Sequence, residues 1–165
     1  MPALKKLTNY LDKNKIKYNI VEHKKVYTTY DAAQTQKINL KTIAKSLLVK
    51  GDSKFALAVI PGNRKLDIEK LKKVMNKYID HIGEKRVKKL SIANETQIKR
   101  NFTKKIGALT SFGSLYKVPT FVDKLLLKNK KISLNAGSFT ESIEITPAQY
   151  KLAEELIEKS FSKAK

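Results

Sequence analysis

Two apolar runs separated by a short turn leave this chain few folds to choose from. Ser46-Leu47-Leu48-Val49 reads as a strand, Gly51-Asp52 as a turn, and Phe55-Ala56-Leu57-Ala58-Val59-Ile60 as the strand that returns. A strand with one wet face alternates apolar and polar residues, whereas these runs are nearly continuous. The hairpin they form is therefore expected to lie deep enough for strict alternation to be lost.

The segments around the hairpin read as its cover. Leu4, Leu7 and Leu11 recur at helical spacing among lysines and predict an amphipathic helix over residues 3–15. Pro61-Gly62-Asn63 ends the hairpin, after which Ile68, Leu71 and Met75 predict a second such helix with Asp67 at its start. Thr28 or Thr29 is placed to cap a short helix through Asp31-Ala32-Ala33, and Asn39 to cap or turn the chain before Ile43-Ala44-Lys45. Asn94 with Gln97 makes a capping box for a helix running to about Phe102. Short strands are expected over 17–22, 86–92, 118–123, 131–135 and 141–145. Thr146-Pro147-Ala148-Gln149 has a cap, a first-turn proline and a box-closing glutamine, and predicts a last helix with Leu152, Leu156, Ile157 and Phe161 on its buried face. Helices and strands mingle without a βαβ rhythm. The expectation is an α+β fold, a mixed β-sheet flanked by helices, in one domain spanning residues 1–165.

Composition narrows the chemistry. The chain has no cysteine, which excludes disulfides, thiolate nucleophiles and cysteine-ligated zinc. Its formal net charge is +20, from 35 basic residues against 15 acids, and such a field attracts polyanions. Nucleic acid is the expected partner. No apolar run approaches the ~20 residues of a membrane-spanning helix, and Met1-Pro2-Ala3-Leu4-Lys5-Lys6 lacks a signal-peptide core. A cytoplasmic protein without membrane contact is expected.

Conventional catalytic sets are scarce. His23 and His81 are the only histidines, neither in a metal-ligand spacing, so no metal or cofactor is expected. There is no Gly-x-Ser-x-Gly elbow and no phosphate-binding P-loop. Asp67, Glu69 and Asp123 read as cap or surface acids, and His23, at a strand end, reads either as an ordinary half-exposed histidine or as a residue bordering a pocket. Two features stand out. Lys45 leads into an apolar strand, where a charge is awkward unless it faces a cleft or snorkels to water. Ile106-Gly107-Ala108-Leu109-Thr110-Ser111-Phe112-Gly113 places small and hydroxylated residues between two glycines, so its backbone can approach a ligand or form a plain surface loop.

Taken in order, several segments resemble the YbaK family of freestanding aminoacyl-tRNA deacylases and the editing domain inserted in bacterial prolyl-tRNA synthetases. The resemblance rests on Val21-Glu22-His23, Thr42-Ile43-Ala44-Lys45-Ser46-Leu47-Leu48, and Ala56-Leu57-Ala58-Val59-Ile60-Pro61-Gly62-Asn63-Arg64-Lys65-Leu66-Asp67. It continues through the 107–113 loop, Val118-Pro119-Thr120-Phe121-Val122-Asp123 and Asn135-Ala136-Gly137-Ser138, covering roughly residues 17–147. It implies a pocket that holds the aminoacyl ester at the 3′-terminal adenosine of a tRNA. By that resemblance Lys45 orients the substrate through its carbonyl or the adjacent phosphate. Loop amides between Gly107 and Gly113 stabilise the oxyanion, and the nucleophile is water or a group of the substrate. Lys45, Gly107 and Gly113 are then the catalytic positions. Ser46, Thr28, His23, Thr110, Ser111, Phe112, Ala136 and Gly137 are the expected substrate contacts.

The chain also departs from the family pattern. Members acting on cysteinyl-tRNA typically have tyrosine where this chain has Val21 and an acid near Ser142; members acting on alanyl-tRNA usually follow the lysine with asparagine, where this chain has Ser46. A proline common inside the glycine loop is replaced by Ser111. The resemblance implies trans-editing of mischarged tRNA, with proline tRNA carrying a small wrong amino acid as the expected substrate and a synthetase as a candidate partner. The alternative is a non-catalytic tRNA- or synthetase-binding module on the same fold. A third reading, a general basic RNA-binding protein, would favour aromatics alternating along one strand, and the sequence has none.

Overall fold

A computed structural model of the chain describes residues 3–25, 38–94, 96–98 and 109–165. In chain order its first elements are α1 (Ala3–Lys13), β1 (Asn19–Glu22), β2 (Ala44–Gly51), β3 (Lys54–Pro61) and β4 (Arg64–Leu66). Then come α2 (Ile68–Ile82), β5 (Leu90–Ile92), β6 (Thr120–Asp123), β7 (Ile132–Asn135) and β8 (Glu141–Ile145). The last are α3 (Pro147–Ala153), β9 (Leu156–Lys159) and β10 (Ser162–Ala164). The short helix expected through Asp31 and the helix body expected from Asn94 to about Phe102 fall largely outside the described residues.

The predicted hairpin is β2 paired antiparallel with β3, from Ala44 opposite Pro61 to Gly51 opposite Lys54. It sits in a five-stranded sheet of order β5-β2-β3-β6-β9. β5 joins β2 antiparallel, whereas β6 joins β3 and β9 joins β6 in parallel. The sheet is mixed, as expected. Every residue of β3 from Ala56 onward is buried, and its alternate side chains feed two different cores. Leu57 and Val59 pack with Leu7 and Leu11 of α1. Ala56, Ala58 and Ile60 pack with Leu71, Met75 and Ile79 of α2. A side-chain repeat of two along the strand is enough to divide the residues this way.

The caps read from the sequence form. Asp67 accepts a hydrogen bond from the Lys70 N–H at the start of α2, and the left-handed Gly83 ends that helix. Asn94 and Gln97 bond reciprocally, each side-chain oxygen accepting the other's backbone N–H. Thr146 accepts from Gln149 N–H with Pro147 in the first turn of α3.

A second sheet, order β1-β8-β7, is antiparallel throughout. One face, carrying Ile132, Leu134, Ile143 and Ile145, closes the core under α1. A parallel bridge between Ile43 and Ser133 sets β7 beside the entry to β2, so the two sheets adjoin.

Two expectations are corrected at the chain's far end. The helix beginning at Pro147 stops at Ala153, and Leu156 and Ile157 lie in a strand, not on a helical face. Leu152 is 71% exposed. β9 finds a parallel partner in β6, and this tertiary pairing overrides the helical periodicity of the segment. Asp123 is not a surface acid but is buried at the end of β6. Its carboxylate accepts from the N–H groups of Leu125 (2.9 Å), Phe161 (3.0 Å) and Ser162 (2.8 Å). Three charge-assisted bonds offset its desolvation and tie β10 and the buried Phe161 to the sheet.

Candidate active site

The outward face of the β1-β8-β7 sheet carries the polar groups. Val21, Ser142 and Asn135 are successive partners across it, so their side chains share one face. Asn135 also reaches the five-stranded sheet: its Oδ1 accepts from Ser46 Oγ at 2.8 Å and Ser111 Oγ at 3.1 Å. The two serine hydroxyls are 2.8 Å apart. Two hydroxyl protons serve these three contacts, so at any instant only two of them have a proton of their own. The backbone reinforces the cluster: Asn135 N–H donates to Ser111 Oγ at 3.0 Å, and Ser111 N–H donates to the Asn135 carbonyl at 3.1 Å. Among the described residues, Asn135 Nδ2 has no partner, which leaves its two donors for a ligand. A groove of about 1220 Å³ opens over the same sheet face, bordered by Val21, His23, Thr42, Lys131, Ser133 and Glu144.

His23 stands just past β1. Its N–H donates to the Thr140 carbonyl at 2.8 Å, carrying the ladder one residue further. Its ring nitrogens lie 2.9 Å from Ser142 Oγ (Nε2) and 2.8 Å from the Lys24 carbonyl oxygen (Nδ1). His23 borders the groove, one of the two readings that its place at a strand end left open. Its serine partner was missed, as was Asn135 as a hub. The only signals for them were the departure at Ser142 and the Asn135-Ala136-Gly137 turn.

Residues 109–113 of the glycine loop are all buried. Gly113 is required by close approach. A Cβ there would lie 2.4 Å from Thr120 Oγ1 and 2.6 Å from the Val118 carbonyl oxygen. Its N–H donates to Thr120 Oγ1 at 2.9 Å. The buried Glu154 fixes this turn, accepting from Ser114 N–H at 3.0 Å and the Thr120 hydroxyl at 3.2 Å. Tyr150 donates its hydroxyl to the Ser111 carbonyl at 2.5 Å, and burial, with Glu154 nearby, pushes that phenol well above its ordinary pKa. Thr110 N–H donates to Tyr116 Oη, and Phe112 N–H to Thr110 Oγ1. The amides of residues 110–114 are therefore all used inside the fold. This corrects the expectation that Gly113 supplies an oxyanion donor: its place is structural. Phe112 packs edge-to-face on Tyr150, and Thr110 and Ala136 bridge one another with no exposed surface to speak of. These three support the site from behind. Gly137 takes the left-handed conformation (φ 79°) that its turn requires. Thr28 and Gly107 lie outside the described residues.

Lys45 is the second residue of β2, following a 3₁₀ turn capped by Asn39. It pairs with Ile60 whereas Ser46 pairs with Val59, so the two leave β2 on opposite faces. Lys45 is half-buried, and burial followed by the nearby Lys165 ammonium holds its pKa below the ordinary lysine value. Among the described residues, none hydrogen-bonds or ion-pairs with its ammonium. The structure thus brings together Ser46, Ser111 and Asn135, with His23 and Ser142 alongside, and sets Lys45 across the strand from them. Among the described residues, no three histidines or acids converge as metal ligands, and no helix is long and apolar enough to cross a membrane.

Comparison with known proteins locates this arrangement. A 61-residue stretch is 36% identical to proline--tRNA ligase of Thermosipho melanesiensis; it is 37% of this chain and only 11% of that protein's length. The fold is similar to that of the hypothetical protein APE2540, with a TM-score of 0.80 and 18% identity over 96% of this chain and 99% of the other. It is similar also to a protein named as a candidate trans-editing enzyme for prolyl tRNA synthetase, with a TM-score of 0.75 and 19% identity over 99% of both chains. At such identities the likeness concerns the fold alone. The profile of the aminoacyl-tRNA editing domain matches residues 23–152, from His23 through the whole serine–asparagine cluster into α3, and so the chain belongs to the aminoacyl-tRNA editing domain family.

Proposed function

We propose that the chain is a hydrolase that removes a wrongly attached amino acid from transfer RNA in trans, with proline tRNA carrying a small wrong amino acid as its substrate. The observation that carries this reading is the Ser46–Ser111–Asn135 cluster beside the groove, inside the segment that matches the editing domain. The Ser46 hydroxyl and the Asn135 side-chain amide suit the carbonyl and amino group of a small aminoacyl ester, while Ser111, which has no exposed surface, is not the substrate contact expected of it but holds Asn135 and Ser46 from behind. In this reading Gly107 and its neighbours before Thr110 hold the oxyanion, because the amides of 110–114 are taken. Lys45, on the Ile60 face, meets a phosphate of the acceptor end rather than the ester carbonyl. Thr28 completes the substrate contacts. The +20 charge serves the tRNA backbone. A synthetase can deliver the substrate, and the cytoplasm, where tRNA is charged, is the place of action.

The test is a panel of mischarged tRNAs, beginning with proline tRNA carrying Ala, Cys, Ser or Thr. Free amino acid is expected from at least one, while correctly paired prolyl-tRNA is spared. Lys45→Ala is expected to lower kcat/KM roughly 10- to 100-fold, the loss of one charge-assisted bond to an anion. Lys45→Arg should restore little, since a planar fork does not fit the site of a compact ammonium. The position of Lys45 across the strand favours one second reading, a non-catalytic tRNA- or synthetase-binding module. No release above buffer hydrolysis from any panel member would decide for it.

A further inference from the structure

We propose that His23 and Ser142 form the proton-accepting pair of the site, with the Lys24 carbonyl as the group that orients the imidazole. The inference rests on the deacylase reading above and names the base that reading leaves open.

The hydrogen bonds determine the tautomer. A carbonyl oxygen only accepts, so Nδ1, 2.8 Å from the Lys24 oxygen, carries the ring's N–H. A neutral imidazole has one N–H, which leaves Nε2 with a bare lone pair. That lone pair faces Ser142 Oγ at 2.9 Å, and the hydroxyl donates to it. A hydroxyl, a base and a third group that aims the base is the arrangement by which side chains take protons in acyl chemistry. Both partners ride on a continuous ladder. Val21 is opposite Ser142, and the His23 N–H bonds the Thr140 carbonyl. Asn135 is the other cross-strand neighbour of Ser142, so the pair adjoins the cluster that would hold the ester. His23 itself borders the groove. The titratable groups around the pair are Glu22 and Lys24, chain neighbours of His23, Glu141 next to Ser142, and Glu144, Lys130 and Lys131, which border the same groove with Lys131 Nζ 3.7 Å from Glu144 Oε1. Glu141 Oε1 accepts from the Ser138 and Thr140 hydroxyls at 3.3 and 2.8 Å.

In the step this permits, a water gives a proton to Ser142 Oγ as Ser142 gives its own to His23 Nε2. The resulting hydroxide bonds to the ester carbonyl carbon, and the carbonyl electron pair moves onto its oxygen. Return of that pair breaks the bond to the ribose oxygen. The imidazolium proton passes back through Ser142 to the departing ribose oxygen. The products are the free amino acid and a tRNA with both terminal ribose hydroxyls.

The experiment is single-turnover deacylation of the best substrate in the mischarged panel. His23→Gln keeps an acceptor for Ser142 but takes no proton, and it should slow the chemical step about 100-fold or more. The tRNA affinity should fall far less than the rate. The pH profile of the wild-type rate should differ from that of the variant. Ser142→Ala should be slow as well, with the double variant no slower than either single one, as for groups acting as a unit. Added imidazole should restore turnover to His23→Ala, which a purely structural histidine would not allow. Variants with wild-type rates and an unchanged pH profile, in a protein that deacylates, would overturn the pair and leave the editing reading standing. Amino acid found covalently bound to Ser142 would overturn the water relay. A wild-type protein inactive on the whole panel would overturn the editing reading, and the pair with it.

Discussion

The five-stranded sheet, centred on the eight-residue β2 and β3, and the three-stranded sheet, of four- and five-residue strands, use their faces differently. β3 sends Leu57 and Val59 into one core and Ala56, Ala58 and Ile60 into another, so both of its faces are dry. β7 and β8 bury Ile132, Leu134, Ile143 and Ile145 on one side and turn Ser133, Asn135, Ser142 and Glu144 to the other. A strand covered on both faces has no surface to offer a ligand. A half-covered one presents a row of hydrogen-bonding groups at cross-strand spacing, held rigid by the apolar row behind it. The candidate site lies where the second sheet's polar row meets β2 at Ser46.

Substitutions test that contrast. The largest effect is expected in the five-stranded sheet. Phe121 is fully buried and packs edge-to-face with Tyr78, at 5.6 Å between ring centroids. Phe121→Ala should cost about 3–5 kcal/mol in chemical denaturation, whereas Asn19→Ala, exposed on the polar face opposite Glu144, should stay within about 0.5 kcal/mol. Equal costs would erase the distinction between the sheets. Asp123→Ala comes next, since it strands the N–H groups of Leu125, Phe161 and Ser162. A loss of about 1–3 kcal/mol is expected, with hydrogen exchange accelerating first in β10. Ser46→Ala should cost only about 1 kcal/mol, while its effect on deacylation should be much larger than its effect on melting.

The smallest effect concerns Lys45 and has a definite sign. Burial and Lys165 lower its pKa in the folded state, so the unfolded chain binds the proton more tightly. The protonated residue therefore costs stability throughout the range below its folded pKa. That cost disappears as pH rises toward the ordinary lysine value of 10.5. Lys45→Met should raise Tm at neutral pH, by a margin that shrinks in alkaline buffer. A margin that grows with pH would show the assigned environment to be wrong.

Much of the fold was legible because local rules and tertiary demands agreed. Asp67, Asn94 and Thr146 each cap as their spacing to a helix predicts, and the β2–β3 hairpin needs only its own apolar runs and turn. The segment after Ala153 was not legible. Leu156 keeps a helical interval from Leu152, and nothing local reveals that β6 offers it and Ile157 a parallel edge. Asp123 was misread for a similar reason: two of the three backbone donors that make its burial tolerable come from residues nearly forty positions away. At the site, Ser46, Ser111 and His23 were identifiable by motif. Asn135's hub role and Ser142's bond to His23 depend on register across three strands, which one-dimensional spacing does not encode.

One consequence follows from the turn between Gly51 and Lys54. Asp52 sits there in the left-handed region (φ 56°), and its carboxylate accepts from Lys88 N–H at 3.0 Å. Ser46 lies five strand positions back from Gly51, roughly 17 Å at the rise of an extended chain. Ser46 and Lys45 alternate, so a slip of one residue at the turn would present the ammonium to Asn135 and send the hydroxyl to the opposite side. A lineage that gained or lost a single codon here would keep every residue of the site in its sequence and yet change its chemistry. Length variation in this turn should therefore be inherited in steps of two, or accompanied by a bulge in β2 that restores the parity.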